Sequence, residues 1–261
     1  MISPVVLDPD QASFDRLCGD WHIYQLKGGH RFSTDDMLTA WIGSSECPGA
    51  ASILDLGAGI GSVGLMALHR MSDRAHLTMI EAQEISHELA KRAIRANELH
   101  TRVDARLGDL RDPDLLSSSE EKSFDLVLGS PPYMPIGSGV LSPHPQRAAC
   151  RFELRGDVSD YCLTAARALS EGGVFAMVHL ATDPRPEPAL AAAGLTLRCR
   201  QEVHFRRDRP PLIALFIAGF GGERRDRPPV IVREPDGRLT EAYQQLRVEM
   251  GAPVDSGGRP R

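Results

Sequence analysis

Two stretches of this chain carry the residue types that chemistry needs. The first, "ILDLGAGIGSVGL", sets Asp55, Gly57, Gly59 and Gly61 between an apolar run and a helical one. Glycines in such a turn let backbone N–H groups approach a ligand with no Cβ in the way. The Asp-x-Gly-x-Gly-x-Gly order is not the Gly-x-Gly-x-x-Gly of dinucleotide sites, so a pyrophosphate is not the obvious ligand. Glu81 ends the next apolar strand, where a carboxylate accepts hydrogen bonds from two ribose hydroxyls. Asp109, in "GDL" with Leu110, ends the strand after that, where it would meet an adenine amino group. These acids and glycines would line one crevice at the carboxyl ends of the strands.

The second stretch is "LVLGSPPYMPIGSG", Leu126 to Gly139. An exocyclic amino group or a carboxamide nitrogen is a poor nucleophile because its lone pair is delocalised. Acceptors for its N–H groups, the Ser130 side chain and the Pro131 carbonyl, would turn that lone pair outward and stabilise the positive charge developing on nitrogen. Tyr133 can stack on the planar group, and Pro131 and Pro132 hold the backbone stiff.

The elements that must position these groups follow from the apolar pattern. Ser52–Gly57, His76–Ala82, Ala105–Asp109, Phe124–Gly129 and Gly173–Leu180 read as buried strands. Helices are expected over about Gln83–Glu98, with Ile85, Leu89, Ala93 and Ala96 on one face, and over about Val158–Ser170. Alternating strand and helix imply parallel strands with right-handed crossovers. "LTLRCRQEVHF" and "PPLIALFIAGF" have only a polar turn between them and read as an antiparallel hairpin. The expected fold is a Rossmann-like, doubly wound α/β sheet of seven mostly parallel strands ending in that hairpin. Residues 1–27 are read as an extension, 28–250 as the domain and 251–261 as a frayed tail.

The bulk composition is that of an ordinary globular chain: 261 residues, 42% hydrophobic and 25% charged. A net charge of -5 rules against a surface that attracts nucleic acid everywhere, though not against a local basic patch. The five cysteines include no CxxC pair and the histidines no HxxxH, so no metal and no disulfide framework are expected. The N-terminus lacks a secretory pattern, and Leu212–Phe220, the longest apolar run, is about half a membrane span. A soluble, cytoplasmic protein that touches no membrane is expected, as a monomer or small homo-oligomer.

The glycine turn with its acids resembles class I S-adenosylmethionine-dependent methyltransferases. "SPPY" resembles the (Asn/Asp/Ser)-Pro-Pro-(Tyr/Phe/Trp) motif of amino methyltransferases. The segments "GGHRFSTDDMLTAWI", "SPPY", "CRFE", "EVHFRRDRPPLIALFIAGFGG" and "EPDGRLTEAYQQL" follow the order seen in the bacterial tRNA (adenine-N6)-methyltransferases that act beside the anticodon of a valine tRNA. That family usually has asparagine where Ser130 stands, and a lysine near the paired glycines where this chain has Phe220.

The resemblance implies S-adenosylmethionine as cofactor and tRNA as partner, with Ser130 to Tyr133 catalytic. Asp55 and the glycines would lie near the methionine part, Glu81 on the ribose, and Asp109 with Leu110 at the adenine. Arg31, Thr34 and Asp35 are further cofactor candidates, and Ser33–Asp36 also reads as a helix N-cap. Arg151 and Glu153 of "CRFE" are candidate RNA contacts, as are Arg206, Arg207 and Arg209 of the hairpin turn. Those late arginines read equally well as a solvated turn paired with its own acids. Two rival functions remain, protein glutamine-N5 methylation by the same motif and a cofactor-binding module without turnover.

Overall fold

A computed structural model describes residues 11–116, 121–140 and 142–253. The first ten residues and the "DSGGRPR" end lie outside them. Two antiparallel strands, β1 (Ala12–Cys18) and β2 (Trp21–Leu26), form an N-terminal hairpin that the sequence reading treated only as an extension. Its signal was present: alternating runs on either side of Gly19-Asp20, with Gly19 at a φ of 51°. The hairpin's inner residues Leu17, Cys18, Ile23 and Leu26 join the main core.

The parallel part of the sheet is β3 (Ser52–Leu56), β4 (His76–Glu81), β5 (Val103–Leu107), β6 (Phe124–Gly129) and β7 (Leu169–Leu180). In space these run β5-β4-β3-β6-β7. The antiparallel pair β8 (Thr196–His204) and β9 (Ile213–Gly219) completes the expected seven strands, with β9 against β7. An eighth, two-residue strand, β10 (Val230–Ile231), pairs parallel with β8 at the edge.

Successive strand residues feed two opposite cores, as period-two side chains must. Val174, Ala176 and Val178 of β7 face the layer of α1 (Thr34–Glu46), α2 (Ser62–His69) and α3 (Glu84–Ala96). Phe175 and Met177 face the layer of α5 (Val158–Ala168) and α6 (Pro186–Ala192). A short helix, α4 (Pro145–Arg151), follows the "SPPY" loop, and α7 (Glu241–Glu249) closes the fold.

Two expected boundaries and one expected helix face shift. β5 starts at Val103, because its register runs from Leu77↔Val103 to Glu81↔Leu107. α5 stops at Ala168, where Leu169 turns extended and joins β7 opposite Phe124. In α3 the buried face includes Leu89, Ala90, Ala93 and Ile94, while Ala96, the last residue of the helix, is exposed. No helix among the described residues is long and apolar enough to cross a membrane.

β3 is flanked by β4 on one side and β6 on the other, so chain order reverses between β3 and β6. Crevices form at such a reversal, beyond the carboxyl ends of the strands.

Candidate active site

A cleft of about 930 Å³ opens at that reversal. It sits near the upper end of the range for small-molecule sites, about 300–1,000 Å³, and so has room for a large cofactor and a planar group beside it.

The glycine turn forms one wall. Gly57 and Gly59 both adopt left-handed backbone, with φ of 61° and 57°. A Cβ on Gly57 would meet the Tyr161 hydroxyl, whereas one on Gly59 would meet nothing within 4 Å and would project into open space. Gly61 is the left-handed N-cap of α2 and does not line the cleft. The turn is fastened by Glu81, whose carboxylate accepts the Gly59 N–H at 2.7 Å and the Gln83 N–H at 2.6 Å. Asp55, at the end of β3, accepts the Gly64 N–H at 2.8 Å from the first turn of α2.

The floor is strongly acidic. Asp55, Asp36 and Glu81 are all buried and line the cleft with Asp35. Burial pushes Asp55 up to about 8, against the Gly64 bond and reinforced by the Asp36 and Glu81 charges. Burial pushes Asp36 up to about 6 although Ser33 and Ser62 donate to it. Burial, then the Asp36 charge, does the same to Asp35. Burial raises Glu81 as well. Carboxylates this hard to ionise in isolation favour a positively charged ligand.

The opposite wall is the turn after β6. Ser130, Pro131, Pro132 and Tyr133 all line the cleft, facing the glycine turn. The Tyr133 hydroxyl donates to Asp35 at 3.1 Å, with the Ser130 hydroxyl against the same phenol oxygen. The ring meets His179 edge-on, centroids 5.2 Å apart at 65°. The next residue is clipped in place: the Met134 N–H donates to the Arg151 carbonyl and the Glu153 N–H to the Met134 carbonyl, each at 3.0 Å. This is the contact that the "CRFE" segment makes with the motif.

The remaining sequence candidates divide. Arg31 and Leu110 line the cleft, and Arg31 is also held by Asp15 at 2.9 Å. Thr34 does not line it; its hydroxyl receives the Tyr243 hydroxyl at 3.5 Å. Asp109 sits between the lining residues Gly108 and Leu110, but its carboxylate is spent on Arg111, at 2.8 and 2.6 Å. Arg151 lines the cleft, whereas Glu153 points away and pairs with Arg185 at 2.8 Å. Arg206 and Arg207 lie outside it, Arg206 paired with Asp208 in its own turn and Arg207 with the more distant Glu234. Arg209 is also outside and exposed.

Sequence reasoning missed Asp36, Gln83, Arg147, Arg155 and Tyr161, which also line the cleft. Asp36 had a signal in "STDD": it closes the capping box of α1 with Ser33. No group of three or more His, Cys, Asp or Glu suited to a metal occurs among the described residues.

Residues 43–140 match the family model of the methyltransferase small domain. The tRNA1(Val) (adenine(37)-N6)-methyltransferase of Shewanella amazonensis is 28% identical, over 87% of this chain and 94% of that protein. The protein of the same name from Escherichia coli is 28% identical, over 80% and 83%. Among solved structures, a predicted O-methyltransferase from Agrobacterium tumefaciens superposes with a TM-score of 0.61 at 20% identity, covering 86% of this chain and all of that one. Geranyl diphosphate C-methyltransferase from Streptomyces coelicolor, in complex with S-adenosyl-L-homocysteine, gives 0.52 at 12% identity, covering 70% and 80%. These likenesses carry the fold. Residues 43–140 are similar to the methyltransferase small domain, and the fold shared with the solved structures is a Rossmann-like α/β sheet.

Proposed function

We propose that this chain transfers the methyl group of S-adenosylmethionine to the N6 amino group of an adenine in tRNA, at the position beside the anticodon that its relatives' names specify. The observation that carries the reading is the placement of Ser130–Tyr133 across one cleft from the glycine turn and Glu81.

The cofactor fits the residues present. The space at Gly59 admits a ligand against the backbone, Glu81 offers lone pairs for ribose hydroxyls, and the acidic floor complements a cation. Bound there, S-adenosylmethionine supplies an electrophilic methyl on a positively charged sulfur. Asp55, Gly57 and Gly59 hold its methionine end and Leu110 borders the adenine. Asp109 contributes through its backbone, because its side chain is tied to Arg111.

The protein's work on the acceptor is positional and electrostatic. Tyr133 presents its ring to a base turned out of its stack, and the base's plane is fixed by that contact. The Pro131 carbonyl and the Ser130 hydroxyl accept the two N–H groups, which concentrates the lone pair and stabilises positive charge developing on nitrogen. Serine's single hydroxyl replaces the amide oxygen of the more usual asparagine. The enzyme acts in the cytoplasm, where tRNA is found.

The reading is tested by transfer of labelled methyl from S-adenosylmethionine to bulk tRNA, with a total-protein extract as parallel acceptor. Label in tRNA is expected; label confined to protein would move the assignment to glutamine-N5 methylation.

A further inference from the structure

The cleft is charged oppositely at its two depths. The floor holds Asp35, Asp36, Asp55 and Glu81, and the rim holds Arg147 and Arg151, one turn apart on α4. Several other arginines of this chain are consumed by carboxylates: Arg111 by Asp109, Arg185 by Asp183 and Glu153, Arg207 by Glu234. Arg147 and Arg151 are both exposed, and neither pairs with a carboxylate among the described residues. Like charges at this helical spacing repel, so an anion bound between them relieves a cost built into α4.

α4 is also a rigid platform. Gln146 accepts the His30 N–H at 3.0 Å and donates to the Ser86 hydroxyl at 3.1 Å, tying the helix to both flanks of the cleft. The Arg151 carbonyl holds the residue that follows Tyr133. An anion seated on these arginines is therefore held at a fixed offset from the Tyr133 ring. His30, beside them, is kept below the ordinary histidine range by burial and by both arginine charges, so it adds no charge of its own at neutral pH.

We infer that Arg147 and Arg151 clamp a backbone phosphate next to the flipped-out adenosine and so set the register of the RNA strand over Tyr133. The inference rests on the tRNA reading above. It assigns RNA binding to α4 rather than to the late arginines, of which Arg206 and Arg207 are paired with Asp208 and Glu234. Two guanidinium groups suit this task because each presents a planar fork to phosphate oxygens.

The cofactor's own carboxylate is the other anion that could reach this rim, and the experiment separates the two. Methyl transfer to tRNA is measured across about 50–200 mM salt for wild type, for the Arg147→Gln/Arg151→Gln double variant and for the Arg147→Lys/Arg151→Lys double variant. Calorimetry of S-adenosylmethionine binding runs alongside and also reports folding. The glutamine variant is expected to raise KM for tRNA about tenfold or more, and to flatten the log–log salt dependence by about 0.7, the value for one single-strand phosphate. Its cofactor affinity stays within about twofold, and the lysine variant keeps most of the salt slope. An unchanged KM and slope in the glutamine variant overturns the clamp, as does a loss confined to cofactor affinity. Wild-type protein that transfers no methyl to tRNA at any salt overturns the tRNA reading itself, and the clamp with it.

Discussion

The Tyr133 hydroxyl donates to the Asp35 carboxylate at 3.1 Å, joining the loop after β6 to the first turn of α1 across nearly a hundred residues of chain. Asp35 is itself displaced from the ordinary carboxylate range by burial and by its neighbour Asp36. The Tyr133 ring, which we propose receives the acceptor base, is thus oriented by an acid of the cleft floor.

Removing only the hydroxyl tests that coupling. Tyr133→Phe keeps a stacking face and leaves Asp35 without its donor, so stability falls by about 1–3 kcal/mol. kcat falls while cofactor affinity holds within a few-fold. Tyr133→Ala removes the face as well and abolishes transfer. Thermal melts, calorimetry and transfer rates on the two variants check the order.

Asp35, Asp36 and Asp55 give the free protein a pH signature. Their folded pKa values, about 6, 6 and 8, lie above the unfolded value of 3.8. The folded state therefore binds these protons more tightly, and their contribution to stability is full below the unfolded value and is lost as pH rises through about 6 and then about 8. Asp55→Asn keeps an acceptor for the Gly64 N–H and removes the upper part of this loss, which melts from about pH 5 to 9 detect.

The same groups make cofactor binding pH-linked. A positive sulfonium favours ionised carboxylates, so S-adenosylmethionine binds more tightly as pH rises from about 6 to 8 and expels protons as it does so. S-adenosylhomocysteine lacks that charge and follows a shallower line. Calorimetry in two buffers of different ionisation enthalpy measures the protons released; equal release for both ligands would remove the electrostatic role of the floor.

Gly57→Ala places a Cβ against the Tyr161 hydroxyl at a left-handed position. The backbone alone costs about 1–2 kcal/mol, and the clash adds to it. Tyr161→Phe in the same chain recovers part of the loss, since ring atoms still crowd the site. A double-mutant cycle of melting free energies reads this as a favourable coupling.

Much of this was legible in the sequence, and the reasons differ by residue. Parallel strands buried on both faces appear as apolar runs, so β3, β4, β6 and β7 stood out together with the glycine turn and the "SPPY" turn at their ends. What escaped depends on contacts distant in sequence. Asp109 stands at the expected strand end, yet its pairing with Arg111 is a matter of side-chain direction that spacing does not encode. The late arginines look basic in sequence because acids such as Glu187 and Glu234 come beside them only in the folded chain. Arg147 drew no attention inside a loop-like, proline-rich stretch, since α4 has only seven residues and is anchored by Gln146 reaching His30 and Ser86.

The most direct test of the account is the chemical identity of the product. tRNA incubated with the protein and S-adenosylmethionine is digested to nucleosides and to oligonucleotides, and both are analysed by mass spectrometry against a Tyr133→Ala control. The account predicts N6-methyladenosine, mapped beside the anticodon and absent with the variant. A methyl group on cytosine N4, or transfer that survives in Tyr133→Ala, would contradict it.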